Sequence, residues 1–82
     1  NSLILYIRFY NSSQMKYNRI KEELEQTHKS QKWLSDQLDI SVVSVSNWCQ
    51  NHKQPSLKTI HQIADVLKCK PNNLINNERK SN

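Results

Sequence analysis

"KSQKWLSDQLDISVVSVSNW", residues Lys29–Trp48, is the stretch on which the fold turns. After Ser30, whose hydroxyl suits a helix start, Leu34 and Leu38 recur at i, i+4. Asp39-Ile40 breaks the pattern, and Ser41 opens a second run in which Val45 and Trp48 stand at i, i+3. Two short helices therefore follow one another across a turn of about three residues. The second begins with Val42 and Val43, and their direction matters. At 3.6 residues per turn Val43 lies about 200° from Val45 and points away from the face that Val45 and Trp48 bury. Val42 shares a stripe with Val45 and Cys49 and belongs on the border.

The same periodicity extends in both directions. Asn18 can cap "RIKEELEQT", in which Ile20 and Leu24 share a face and Glu22 and Glu23 suit the positive end of a helix. After the loop "NHKQP", Ser56 can cap "LKTIHQIADVLK". There Leu57, Ile60, Ile63, Ala64 and Leu67 form a broad apolar stripe. Pro71, at a first helical position, opens "PNNLIN" and brings Leu74 and Ile75 inward, while Ile40 is expected to tuck into the core from the turn. The reading is an all-α domain of five short helices over residues 15–76, followed by a polar tail, 77–82. Residues 1–14, "NSLILYIRFYNSSQ", are a β-prone run that closes on turn-like residues. They read either as an extension upstream of a natural start at Met15 or as a strand that pairs with its copy in a dimer.

Composition narrows the function. A chain of 82 residues supports one domain with one modest core. Its 12 Lys and Arg against 7 Asp and Glu leave a net charge of +5, and the mean hydropathy is -0.86. That balance favours nucleic acid or another acidic partner. No apolar run reaches the roughly 18 residues of a membrane span. The chain has no glycine, so the left-handed residues that end helices must be others; His28, Asp39, Asn51 and Lys68 stand where those ends fall. Cys49 and Cys69 read as buried thiols of a cytosolic protein. Together with His52 and His61 they do not follow a zinc-finger spacing, so no metal or other cofactor is expected. The sequence lacks a glycine phosphate loop and a convincing Ser/His/acid arrangement, which argues against an enzyme.

A helix pair of this kind fits the helix-turn-helix geometry, in which the first helix braces and the second lies in the DNA major groove, although generic helix hairpins share its apolar pattern. Small Ser35 permits close approach of the pair, and residues 42, 43, 44, 46 and 47 are left facing outward. At these positions the chain resembles the Cro and phage-repressor type of helix-turn-helix domain, the XRE family. The resemblance rests on Ser30-Gln31, Leu34, Leu38, Ile40-Ser41, Val45-Ser46, Trp48, "PSLKTI" at residues 55–60, Ile63-Ala64, Leu67, Pro71 and Leu74-Ile75. It covers about Met15 to Asn76 and is specific, because it fixes core, caps and turn together.

The resemblance implies a five-helix, lambda-repressor-like, cytoplasmic and nucleoid-associated protein of bacterial or phage type. Such a protein acts as a transcriptional regulator, usually a repressor, and binds a two-fold operator on double-stranded DNA as a homodimer. By the same resemblance Gln31 contacts the phosphate backbone or a base, Val42, Val43 and Asn47 reach bases, and the loop of Asn51, His52, Lys53 and Gln54 grips phosphate. Outward Ser44 joins the base readers, and Lys32, Ser41 and Ser46 join the positioning contacts. Three departures stand out: Asp39 replaces the usual Gly of the turn, Ser35 the usual Ala, and Asn51 the usual Gly after the reading helix. Asp and Asn tolerate left-handed backbone, so the fold survives, although Asp39 adds negative charge near the DNA side. Lys29 replaces an apolar residue, its stem able to cover core surface. Trp33 stands where a polar residue is usual and reads either as an exposed aromatic lying on residues 1–14 or as part of a dimer or partner surface. The latter suits a rival reading, an antitoxin-like module that masks a toxin-like protein and binds DNA secondarily.

Overall fold

The computed structural model describes residues 16–76; the strand or extension expected for residues 1–14 and the polar tail at 77–82 lie outside the described residues. Four α-helices follow in order: α1 (Ile20–Gln26), α2 (Gln31–Leu38), α3 (Val42–Cys49) and α4 (Leu57–Leu67), with a single 3₁₀ turn (Pro71–Leu74) after them. The fold is all-α, as expected, but the fifth helix is only that turn. Pro71 starts it, and Ile75 already has extended backbone at φ -109° and ψ 135°, so no α-helical turn closes.

Local chemistry sets the boundaries. Ser30 Oγ accepts from Trp33 N at 2.9 Å, Ser41 Oγ from Ser44 N at 3.2 Å, and Ser56 Oγ from Thr59 N at 3.2 Å, so three helices start on the serines expected to cap them. The first helix differs. Arg19 occupies the cap position of α1 without a side-chain bond, while Asn18 is buried one residue earlier and its Oδ1 accepts from Ile20 N at 3.0 Å. The four residues nominated for left-handed backbone all adopt it: His28 at φ 58°, Asp39 at 56°, Asn51 at 60° and Lys68 at 58°. Each keeps a Cβ where glycine is usual, at a cost of roughly 1–2 kcal/mol per residue.

The core draws on every helix. Ile20 and Leu24, Leu34, Val45 and Cys49, Ile60, Ile63, Ala64 and Leu67, and finally Leu74 are all buried. Three expected members are missing, Ile75 among them because its extended backbone past the 3₁₀ turn leaves it exposed. Leu57 is 71% exposed because it is the first residue of α4, a turn before Ile60, and falls past the edge of the core. Ile40 is 38% exposed, carried outward where the left-handed Asp39 redirects the chain. Trp33 shifts the other way: it is partly buried and packs against the core, with Lys29 Nζ 4.8 Å from its ring centroid. This contact pairs the two departures at positions 29 and 33 with each other.

The segment before α1 and the segment after the 3₁₀ turn lie side by side. Asn18 and Ile75 form an antiparallel bridge, with Arg19 N donating to Leu74 O at 2.8 Å and Asn76 N to Tyr17 O at 3.0 Å. Lys16 forms an ion pair with Glu22 close by. Partial burial alone would raise the pKa of Glu22, but the Lys16 hydrogen bond and the nearby charges of Lys16 and Arg19 outweigh it and hold the carboxyl below its ordinary value.

Candidate nucleic-acid interface

The turn between α2 and α3 is built from residues already met. Ile40 N donates to Ser35 O at 3.0 Å, reversing the chain around left-handed Asp39. Ser35 is 1% exposed, and its Oγ donates to Lys32 O at 2.8 Å, so this small side chain is satisfied within its own helix. The middle and end of α3 are held by Val45 and Cys49, both buried, and by partly buried Trp48. The start of α3 is free: Val42 is 42% exposed and Val43 65%. The valines thus divide as their spacing requires, with Val45 inside, Val43 outside and Val42 between.

The rest of the outward face is polar but uncharged. Ser44 Oγ lies 3.2 Å from Ser41 Oγ, and Ser46 Oγ accepts from Gln50 Nε2 at 2.9 Å. The half-buried side chains of Gln31 and Asn47 make no hydrogen bond among the described residues, so their donors and acceptors are available to a ligand. The whole of α3, "VVSVSNWC", carries no charge. Charge comes from its flanks. Exposed His52 and Lys53 follow it, and Lys32 lies on α2, its Nζ 3.0 Å from Asp36 Oδ1. That pair is solvent-exposed on both sides, so it contributes little to stability and its lysine can turn to another anion.

The loop after α3 behaves in two ways. His52 N and Lys53 N both turn back to Asn47 O, at 2.9 and 3.3 Å, and Asn51 N reaches Trp48 O at 2.9 Å. The backbone donors of residues 51–53 are therefore consumed on the end of α3. Asn51 and Gln54, expected among the phosphate contacts, have their side chains engaged inside the domain. Asn51 Oδ1 accepts from Tyr17 N at 2.8 Å and Asn18 N at 2.9 Å, and its Nδ2 donates to Asn18 O at 3.3 Å. Gln54 Oε1 accepts from Asn18 Nδ2 at 2.8 Å, and Gln54 Nε2 donates to Asn51 Oδ1 at 3.2 Å. Asn18 Nδ2 also donates to Trp48 O at 2.9 Å. From sequence alone Asn18 reads as a simple helix cap. The one available signal was an Asn in place of the usual Gly at position 51.

The cysteines have no part in this surface. Both are free thiols; burial pushes Cys49 up to about 11, while for Cys69 burial and then the neighbouring Glu23 act in the same direction. Such thiols stay protonated and unreactive near neutral pH. Among the described residues no group of three His, Cys, Asp or Glu is placed to hold a metal ion, and no helix is long and apolar enough to cross a membrane.

Comparison with known proteins agrees with this geometry. A family model described as helix-turn-helix matches residues 20–74, a span that takes in α1 to α4 and the 3₁₀ turn. The chain belongs to the helix-turn-helix family, in its Cro and phage-repressor form. No curated protein matches it. Among solved structures it is similar to a crystallised protein from Bacteroides fragilis whose description as DNA-binding is provisional, with 39% identity and a TM-score of 0.73 over 76% of this chain and 100% of that one.

Proposed function

We propose that the protein is a sequence-specific, non-enzymatic transcriptional regulator, a repressor that binds a two-fold operator on double-stranded DNA as a dimer. The observation that carries this reading is the start of α3: an exposed Val42–Val43 tip and a free Asn47 amide on an anchored helix, flanked by exposed His52 and Lys53. The family and the B. fragilis neighbour, provisionally DNA-binding, support it.

In this reading α3 enters the major groove, and Val42, Val43, Ser44 and Asn47 face base edges. Valine offers no hydrogen bond but packs on the C5 methyl of thymine, and Asn makes paired bonds to adenine N6 and N7. A helix without Arg or Lys lacks the usual partner of guanine, so the half-sites are rich in A·T pairs. Gln31, at the start of α2, has a free amide beside a helix N-terminus and takes a phosphate. Lys32, Ser41, Ser46, His52 and Lys53 complete the backbone contacts, while Asn51 and Gln54 serve the loop from inside.

Selection from a randomised duplex pool tests the proposal. It is expected to return a palindromic site whose half-sites contain thymines and an adenine. Val43→Ala relaxes preference at one position, and Lys53→Ala weakens all sequences alike and lowers the log–log salt slope by about 0.9. A pool that returns no consensus, or a consensus of G·C pairs alone, would reject it.

A further inference from the structure

The residues that bind Asn51 and Gln54 lie far away in sequence, and they suggest a job for the amides. Asn18 is 3% exposed, and its side chain spans three parts of the chain: Ile20 N at the start of α1, Trp48 O at the end of α3, and Gln54 Oε1 beyond the loop. Asn51 faces it, left-handed at φ 60°, with its carbonyl oxygen holding the amides of Tyr17 and Asn18. Between Asn51 and Gln54 lie only His52 and Lys53, both exposed. The two residues left free to meet a phosphate are thus bracketed by two residues whose side chains are fixed from behind.

Glycine would serve the backbone at position 51 at least as well, because it adopts positive φ without a Cβ penalty. What glycine cannot supply is an acceptor for two backbone N–H groups and a donor for Asn18 O. The backbone donors of residues 52 and 53 turn back to Asn47 O on α3, so what the amide cluster adds is a second tie, across to the segment before α1. We infer that Asn51, with Asn18 and Gln54, is a positioning residue for DNA binding: the amide cluster fixes the His52–Lys53 loop against the end of α3 so that Lys53 meets its phosphate pre-ordered. The inference rests on the DNA-binding reading above. Its physical content is preorganisation, in which the entropy of ordering a flexible lysine-bearing loop is removed before the ligand arrives.

Asn51→Gly isolates the effect, because it keeps the left-handed turn and deletes only the amide. The selected operator is titrated at several salt concentrations with wild type, Asn51→Gly, Lys53→Ala and the double variant. Asn51→Gly is expected to bind about five- to tenfold more weakly, with a salt slope lower by up to about 0.9 and an unchanged base preference. Asn51→Gly should cost less in the Lys53→Ala background than in wild type, since only His52 is then left for the loop to position. In the free protein, amide exchange at Tyr17 and Asn18 should quicken in Asn51→Gly while Leu34 and Val45 keep their protection. Three results would overturn the inference: operator binding like wild type, an equal loss in the presence and absence of Lys53, or unchanged exchange at Tyr17 and Asn18. A wild type that selects no sequence at all rejects the DNA-binding reading itself, and the positioning role falls with it.

Discussion

The two ends of α3 are opposites. Its first turn carries Val42 and Val43 into solvent, capped by a single serine hydroxyl. Its last turn is buried through Cys49, packed through Trp48 and tied by Asn18 and Asn51 to the segment before α1. Eight residues thus run from a free end to a fixed one. The contrast shows how a short helix with no intrinsic stability of its own presents a precise surface. Isolated helices shorter than about 12 residues are marginal in water, so the anchored end must supply the order that the free end uses.

Substitutions can break or sharpen that contrast. The greatest effect belongs to the shared core: Leu34→Ala, at a fully buried position, should cost about 2–5 kcal/mol in urea unfolding and dissolve the distinction by unfolding both ends together. Next is the buried thiol of the fixed end. The pKa of Cys49 is raised from 9.0 to about 11, so the folded state holds its proton more tightly than the unfolded chain. Its contribution is complete below pH 9 and fades as the pH rises through about 11, a loss on the order of 2 kcal/mol. Stability of Cys49→Ala should fall less steeply than wild type over that alkaline range. Smallest is the cap of the free end: Ser41→Ala should cost about 1 kcal/mol and speed amide exchange at Ser44 while leaving Trp48 and Cys49 protected. If exchange quickened equally at both ends, α3 would melt as one unit and the contrast would fail.

What could be read from sequence was local. A serine before an apolar run is a cap because its hydroxyl reaches an amide three residues on, and Ser30, Ser41 and Ser56 do so. The left-handed residues were legible for the same reason, since a glycine-free chain leaves few tolerant positions at helix ends. The inward or outward sense of Val43 and Val45 followed from the helical angle alone. Periodicity, however, says which face a residue occupies and not where the core stops, so Leu57, Ile40 and Ile75 read as inside and lie outside. Trp33 shows the converse, a large ring finding core that the pattern did not reserve for it. The cluster of Asn18, Asn51 and Gln54 was illegible because amides more than thirty positions apart carry no repeating signal. The candidate surface was thus legible on α3 and much less so in the loop behind it.

The clasp between Tyr17–Arg19 and Leu74–Asn76 joins the most distant parts of the described chain. Closing so large a loop carries the highest entropic cost of any contact in the domain, and that cost rises with the logarithm of the segment enclosed. The clasp therefore depends on the helices between its two segments to bring its ends together. Because Asn18 belongs to both the clasp and the grip on α3, fraying at the flanks is felt at the loop that faces the proposed DNA. A mechanical load on the sequence at either flank would therefore reach the loop through Asn18 and the hydrophobic core through Leu74.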